Sequence, residues 1–438
     1  QLLRQHQHKT HMFRARVIVF TALVAVKTAD AFVIAPMALN SGCRNTAVVA
    51  RQRHAFVMTA AAQGRLNTDD DFLPHNEAKM SGLEKYKPEL AANAKKMVLP
   101  GKGLLACDES TGTVGKRLES IGMENNEANR MKWRNLLFTT PSLGDYVSGA
   151  ILFEETLFQK DPDGVPFVDV LNKNGIIPGI KVDKGLFPLL GGADGENYCT
   201  GLDGLYDRAV LYYKQGARFC KWRTALEIND ARGMPSAVAV KEAAWGLARY
   251  ARICQEAGLV PIVEPEILMD GDHTLERTIE VQTQVVAEVY RACIANGVFL
   301  EGSLLKPSMT VPGINCQKKA SPEQVAKATI DVLEACVPSK VPGVTFLSGG
   351  LAEEDASIFL NTMNTVDRVG PWSLTFSFSR AMQSSCLKVW EGKDENVKAA
   401  QDQLKARAQA NSEANLGKYK AGSQPTLSES LYQKNYVY

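Results

Sequence analysis

Eight short apolar segments alternate with longer segments of helical periodicity from about residue 80 onward. Apolar runs of this kind, rich in Val, Ile, Leu and Phe, are typical of parallel strands buried on both faces. No linker rich in Pro, Gly or Ser interrupts the alternation, which favours one closed (β/α)8 barrel, a TIM barrel, over an open sheet. The predicted strands are residues 103–108, 149–153, 176–182, 217–223, 259–266, 299–306, 344–348 and 372–379.

One of the intervening segments carries a clear helix start. Ser321 stands at the N-cap, Pro322 at the first helical position and Gln324 at the third, which together form a capping box. The last predicted helix ends near Asn415, and a Gly- and Pro-containing tail follows. We therefore predict a barrel domain over residues 69–415 and a flexible tail over 416–438 that reaches the active site.

The N-terminal 68 residues have the composition of a targeting leader. A basic start and an apolar run within about 12–31 predict a signal peptide, and residues 1–11 resemble upstream sequence. Residues 32–68 contain arginines and no acid, as transit peptides do. The junction at Ala31-Phe32 resembles that of bipartite plastid presequences in algae with secondary plastids. We expect the plastid stroma as the location, with the cytoplasm as the alternative.

Charge and composition restrict the class of ligand. The leader holds nine of the 50 basic residues and one of the 48 acids, so residues 69–438 hold 41 and 47, a net charge of −6. This argues against nucleic acid as a partner, and the mature protein has no predicted membrane segment. The nine cysteines are scattered without a CxxC pair, and only His75 and His273 follow the leader. We predict reduced thiols, no metal and no cofactor.

Ionisable residues end six of the eight predicted strands. All strand ends of a barrel meet at one face, where barrel active sites lie, so we expect these charges to form one site. They are Asp108, Lys181, Asp183, Lys221, Arg223, Glu264, Glu266, Lys306 and Arg380.

Three of these residues are lysines, which indicates chemistry at an amine. A free lysine amine is protonated at neutral pH, and burial or a neighbouring cation disfavours that form and makes the amine nucleophilic. Lys306 follows two leucines, the most apolar approach of the three, and we predict it to be the nucleophile. Asp108 and Glu264 are the predicted proton carriers, because imine formation and carbon–carbon cleavage both require proton transfer.

Cationic groups at both ends of the predicted site favour a substrate with two phosphates. Ser348 and Gly349 follow the seventh strand, where barrel phosphate sites occur, and Arg380 follows the eighth. Candidate residues for phosphate and substrate elsewhere at the mouth are Lys181, Arg223, Ser110, Thr113 and Arg117. An amine between two such ends suits a bisphosphorylated ketone.

Six motifs, in order over roughly residues 80–438, resemble those of class I fructose-bisphosphate aldolases. They are DESTG at 108–112, GIKVDKG at 179–185, KWR at 221–223, VEPEIL at 263–268, EGSLLKP at 301–307 and FLSGG at 346–350. The resemblance implies metal-free, reversible cleavage of fructose 1,6-bisphosphate to dihydroxyacetone phosphate and glyceraldehyde 3-phosphate. It also implies a homotetramer, and sugar phosphates as the small-molecule partners. In a plastid the enzyme would serve the Calvin cycle as well as glycolysis and gluconeogenesis.

The same resemblance assigns roles to individual residues. Lys306 forms a Schiff base, Lys221 assists carbinolamine formation, Glu264 is the acid and base at dehydration with Glu266 in support, and Asp108 takes the hydroxyl proton. Tyr438 protonates the enamine carbon. The chain departs from the family at Ser379, where Gly is usual.

Three alternatives remain open from the sequence. A transaldolase-like Schiff-base barrel acts on a substrate with one phosphate, which fits two cationic ends less well. An isomerase barrel based on Glu and His is disfavoured by the scarcity of histidine. A non-catalytic scaffold that binds partners would not need Lys306, Lys221, Glu264 and Asp108 together.

Overall fold

A closed barrel of eight parallel strands forms the centre of the molecule. The computed structural model describes residues 82–427 and 429–433; the leader, the boundary at residue 68 and Tyr438 lie outside this part of the chain. The barrel confirms the predicted fold class. In chain order the strands are β1 Gly103–Cys107, β2 Val147–Leu152, β3 Ile177–Lys181, β4 Leu186–Pro188, β5 Asn197–Cys199, β6 Phe219–Leu226, β7 Val260–Ile267, β8 Leu304–Leu305, β9 Gly343–Phe346 and β10 Ser373–Phe378. The barrel strands follow the neighbour order β1-β10-β9-β8-β7-β6-β3-β2, and β4 and β5 form a separate two-stranded sheet.

Helices surround the barrel and follow most of its strands. Ser321 caps its helix with the predicted capping box, in which its side chain and that of Gln324 each bond the other's backbone. The helices are α1 Gly82–Met97, α2 Thr111–Glu119, α3 Glu127–Phe138, α4 Glu154–Phe158, α5 Phe167–Lys173, α6 Leu205–Gln215, α7 Ala237–Glu256, α8 Leu275–Ala295, α9 Pro322–Cys336, α10 Glu353–Met363, α11 Arg380–Trp390 and α12 Val397–Asn415.

Two local predictions differ from the structure. The segment 299–306 was predicted as one strand, but Leu300–Gly302 is a 3-10 helix and only Leu304–Leu305 pairs as β8. Gly302 packs so closely on α1 that an added Cβ would lie 2.7 Å from Leu90 Cβ, so α1 occupies the space where a longer strand would run. The antiparallel hairpin of β4 and β5 was not predicted, because three-residue strands carry too little periodicity.

The barrel interior is filled by side chains at the end opposite the strand C-termini. Phe219 of β6 lies in this layer, and Gly179 on the adjacent strand β3 and Gly149 on the next strand, β2, leave room for its ring. A Cβ at Gly179 would lie 2.2 Å from that ring. Helix α1 covers this end through Leu90 and other apolar residues of the same buried cluster. The opposite end of the barrel is therefore the end that is left to hold polar groups.

Candidate active site

Strand alternation directs the predicted charges into the barrel. Side chains two residues apart on a strand share a face, so Lys221 and Arg223 of β6 point the same way, as do Glu264 and Glu266 of β7. The strands pair with Arg223 opposite Glu264. Lys306 directly follows β8, and its backbone N–H donates to Val263 O of β7 at 2.8 Å. This register brings the residues of three strands to one level of the barrel.

Four buried ionisable side chains form a continuous cluster at that level. Lys221 Nζ lies 2.7 Å from Asp108 Oδ2 and 3.3 Å from Glu264 Oε2. Lys306 Nζ lies 3.1 Å from the other oxygen of the same carboxylate, Glu264 Oε1. All four residues are at most 3% exposed. Glu264 thus bridges the two lysine amines.

Electrostatic interactions with their neighbours determine the charge states of Asp108 and Lys221. Burial opposes ionisation of Asp108, yet the neighbouring Lys221 and Lys306 side chains outweigh it and lower the pKa of Asp108. Burial likewise opposes the charge on Lys221, but Asp108 and Glu264 raise the pKa of Lys221 well above its usual value. Asp108 is therefore an anion and Lys221 a cation at neutral pH.

Two further ion pairs extend the site towards the barrel mouth. Arg223 Nε lies 2.5 Å from Glu266 Oε2, and Lys181 Nζ lies 2.5 Å from Asp183 Oδ1. Lys181 stands opposite Lys221 in the register of β3 and β6. The structure therefore places Lys181 and Arg223 beside the central cluster, each held by a carboxylate.

The turn after β9 and the start of α11 meet at a shared stretch of the C-terminal tail. Gly349 and Gly350 adopt the left-handed conformation, with φ of 56° and 101°. An added Cβ at Gly350 would lie 3.0 Å from Tyr432 Cα, and the Arg380 guanidinium donates to Leu431 O. Successive backbone N–H groups at such a turn form an anion-binding concavity. Arg380 and the turn that contains Ser348 and Gly349 thus approach adjacent residues of the tail.

Ser110, Thr113 and Arg117 belong to the first turns of α2. Ser110 caps the helix by accepting from Thr113 N, and the two hydroxyls lie 3.1 Å apart. Thr113 and Arg117 line a cavity of about 510 Å³ together with Arg380 and the tail residues Ser430–Gln433. Three of the predicted substrate-binding residues, Thr113, Arg117 and Arg380, therefore share one cavity at the C-terminal end of the barrel.

A second buried ionic cluster, which the sequence patterns do not predict, lies directly behind the first and is centred on Glu109. Glu109 points away from the barrel interior because it follows Asp108 on the strand end. Its carboxylate lies 2.5 Å from Arg117 Nη1 and 2.7 Å from Arg134 Nη2, and it accepts from Ser379 Oγ at 2.7 Å. Burial opposes ionisation of Glu109, but the two arginines and the Ser379 hydroxyl lower the pKa of this carboxyl. The signal available in the sequence was the pair of consecutive acids, Asp108 and Glu109, at the end of β1.

Tyr432 was also missed as a contact of the tail. Its hydroxyl donates to Asp270 Oδ1 at 2.6 Å. Upstream, Tyr419 Oη donates to Glu354 Oε2 at 2.7 Å, and Leu427 N donates to Glu353 Oε2 at 3.0 Å. The tail is thus attached to α10 at residues 419–427 and crosses the barrel mouth at 430–432.

The described residues contain neither a cluster suited to a metal ion nor a helix suited to a membrane. Within residues 82–427 and 429–433, no group of three or more His, Cys, Asp or Glu side chains could hold a metal ion. Over the same residues, no helix is both long and apolar enough to cross a membrane. The eight cysteines in this part of the chain are free, and six of them are buried.

The fold and the buried cluster define a (β/α)8-barrel enzyme with an amine–carboxylate site. The family model for fructose-bisphosphate aldolase class-I matches residues 89–438. The chain therefore belongs to the class I fructose-bisphosphate aldolase family, and it is a carbon–carbon lyase that cleaves fructose 1,6-bisphosphate reversibly.

Individual relatives agree with this assignment. The chain is 55% identical over 354 residues to chloroplastic fructose-bisphosphate aldolase 1 of Arabidopsis thaliana, covering 81% of this chain and 87% of the relative. It is also 55% identical to the cytosolic aldolase 4 of the same plant, covering 80% and 89%. A solved structure of the Plasmodium falciparum aldolase, in complex with TRAP and a small-molecule inhibitor, matches with a TM-score of 0.76 and 51% identity, covering 80% of this chain and 98% of that one.

Proposed function

We propose that the chain cleaves fructose 1,6-bisphosphate through an imine on Lys306. The observation that supports this assignment is the difference between the two buried lysines. Lys221 is held by two carboxylates, which raise its pKa well above the usual value, so it remains an ammonium ion. An ammonium ion has no lone pair with which to attack a carbonyl. Lys306 contacts one carboxylate oxygen at 3.1 Å and is the better nucleophile of the pair.

Glu264 is placed to serve the formation of the imine. The Lys306 amine adds to the C2 carbonyl of the substrate and gives a carbinolamine. Glu264 lies 3.1 Å from Lys306 Nζ, so it first accepts a proton from that amine and then donates it to the carbinolamine hydroxyl, which leaves as water and yields the iminium ion. The charge of Lys221 stabilises the oxyanion that develops during the addition. Glu266 forms an ion pair with Arg223 and supports Glu264, which lies two residues earlier on the same face of β7.

Asp108 is placed to serve the cleavage step. It is ionised and buried, so it can accept the proton of the C4 hydroxyl as the C3–C4 bond breaks. The electron pair of that bond moves to the iminium and forms an enamine, and the C4 oxygen becomes the aldehyde of glyceraldehyde 3-phosphate. A proton added at C3 of the enamine, followed by hydrolysis, releases dihydroxyacetone phosphate.

Tyr438 is proposed as the donor of that last proton, and it lies outside the described residues. The support is the path of the tail, which crosses the mouth at Leu431 and Tyr432. The six residues that follow Tyr432 can extend about 20 Å. We assign one phosphate to Ser348, Gly349 and Arg380. The other is assigned to Lys181, Arg223, Ser110 and Thr113, with Arg117 as a further phosphate ligand on the side of Arg380.

Borohydride trapping tests the assignment of the amine. The protein is incubated with dihydroxyacetone phosphate in the presence of EDTA, reduced and mapped by peptide mass spectrometry. We expect one adduct, on Lys306, and none in a Lys306→Met variant. Lys102→Met is the matched control, because Lys102 Nζ donates to Gly144 O before β1, away from the strand C-termini. No adduct, or an adduct on Lys181 or Lys221, would contradict the proposal.

The location and the assembly are proposed separately. Relatives named chloroplastic and cytosolic are equally similar, so the leader carries the argument for a plastid, where condensation in carbon fixation would be the main direction. Fusion of residues 1–68 to a fluorescent protein tests the plastid location, and a cytoplasmic signal would refute it.

The proposed homotetramer is tested by light scattering after gel filtration. A monomer or dimer would contradict it.

A further inference from the structure

Ser379 lies between the last barrel strand and α11 and directly precedes Arg380. It is the N-cap residue of α11, yet its side chain makes no capping hydrogen bond. A serine at this position ordinarily accepts from a backbone N–H in the first turn. The hydroxyl is buried and is directed instead at Glu109, which follows β1, and at Arg117 of α2. Its hydrogen bonds therefore serve something other than the helix end.

The Ser379 hydroxyl connects Glu109 and Arg117. It donates to Glu109 Oε1 at 2.7 Å and accepts from Arg117 Nη2 at 3.0 Å. Arg117 Nη1 contacts the same Glu109 oxygen at 2.5 Å, so both terminal nitrogens of the guanidinium are held. Gln383 completes the group by accepting from Arg117 Nη1 at 3.4 Å and donating to Ala106 O at 2.6 Å. The guanidinium is thus fixed relative to the ends of β1 and β10.

The fixed guanidinium faces a cavity that also contains Arg380. Arg117 and Arg380 both line the cavity of about 510 Å³. Ser379 does not line it, so the hydroxyl would influence a ligand only through Arg117. An arginine side chain loses rotamer entropy when it is immobilised. If Arg117 is already immobilised in the free protein, the binding of a phosphate to it causes little further loss of rotamer entropy.

We propose that Ser379 is a positioning residue that pre-organises Arg117 for the substrate phosphate nearest Arg380. The inference rests on the proposed role of Arg117 in phosphate binding. It assigns the Ser379 hydroxyl no contact with the substrate and no proton transfer. Its loss should therefore weaken the binding of fructose 1,6-bisphosphate and leave the chemical step at Lys306 unchanged.

A double-mutant cycle tests the inference. We expect Ser379→Ala to raise KM for fructose 1,6-bisphosphate, and the inhibition constant of inorganic phosphate, by roughly threefold to tenfold, the effect expected for loss of one ordinary intramolecular hydrogen bond. We expect kcat within about twofold of the wild type, since the hydroxyl touches no reacting atom. In an Arg117→Met background the same substitution should have no further effect on KM.

Three further variants make the result specific. Ser379→Thr retains the hydroxyl and should retain KM, while Ser379→Gly should reproduce Ser379→Ala and replaces it if the alanine protein does not fold. Ser148→Ala is the matched control, because its buried hydroxyl bonds Met97 O and Gly103 O at the opposite end of the barrel. It should lower the melting temperature without changing KM.

The outcomes separate the two proposals. An unchanged KM in Ser379→Ala, a fall in kcat alone, or an equal effect in the Arg117→Met background would overturn the role of Ser379. If Arg117→Met itself leaves KM and phosphate inhibition unchanged, the phosphate role of Arg117 fails, and the role of Ser379 fails with it. The trapping experiment on Lys306 is independent of both.

Discussion

Asp108 and Glu264 act at different steps of the proposed mechanism, and substitutions should separate them. Asp108→Asn removes the acceptor for the C4 proton, so we expect kcat for cleavage to fall by roughly 10²- to 10⁴-fold while the adduct with dihydroxyacetone phosphate still forms. Glu264→Gln should slow the formation of that adduct. A coupled assay and trapping kinetics measure the two effects, with the surface variant Asp402→Asn as control. Equal loss of both activities in both variants would contradict the division of roles.

Glu109 makes stability depend on pH in a direction that its pKa fixes. Because the folded pKa lies below the usual value of 4.5, the carboxylate stabilises the fold above that pH, and this stability is lost as pH falls through the folded pKa. Glu109→Gln leaves Arg134 buried without a carboxylate, at a cost of about 3–5 kcal/mol at neutral pH. We expect a lower melting temperature at pH 7, and a difference from the wild type that shrinks below about pH 4.5.

Melting curves from pH 7 to pH 3 measure this dependence. Glu280→Gln serves as the control, since its carboxylate is largely exposed in a surface pair with Arg277. A constant difference between wild type and Glu109→Gln across the range would show that Glu109 has no shifted pKa.

At the element level, the C-terminal tail has two attachments of different character. Tyr419 is buried against α10, whereas Tyr432 lies at the barrel mouth and bonds Asp270. Burial and this hydrogen bond raise the pKa of Tyr432 to about 12, so its hydroxyl remains a donor at every pH at which the enzyme is assayed. Tyr432→Phe should therefore release the end of the tail without affecting the barrel.

Hydrogen exchange measures that release. In Tyr432→Phe we expect faster exchange from residue 429 onward and an unchanged melting temperature. In Tyr419→Phe, a matched change on the same tail, we expect a loss of about 1 kcal/mol in stability, because this hydroxyl bonds a carboxylate of α10. Unchanged exchange in Tyr432→Phe would mean that other contacts hold the tail.

At the level of the whole molecule, closure of the barrel depends on the fit of Phe219 against two glycines. Gly179→Ala would place a methyl group 2.2 Å from the Phe219 ring, and the overpacking should cost about 3 kcal/mol in unfolding free energy or prevent folding. Adding Phe219→Leu should recover part of that loss. Phe219→Leu alone, which leaves a cavity, is the control. Thermal melting of the three variants tests this, and no recovery in the double variant would contradict the packing account.

The sequence by itself determined the barrel and the inventory of its central site. Strand periodicity and helix caps are local signals, so eight strands and the cap at Ser321 could be read directly. The charges at strand ends could be assigned to one site because parallel strands in a barrel end at the same face. Lys306, Lys221, Glu264 and Asp108 were identified in this way, and the structure places each of them within 3.3 Å of another member of the group.

The tertiary structure alone decided which charges are partners and which segments bend away from their local pattern. Ser379 and Glu109 are 270 residues apart in the chain, and no periodic signal spans that separation. Leu300–Gly302 turns as a 3-10 helix because α1, more than 200 residues earlier, occupies the adjacent space. Local sequence sets the propensity of each segment, but ion pairing and close packing depend on distances that exist only after the barrel has closed.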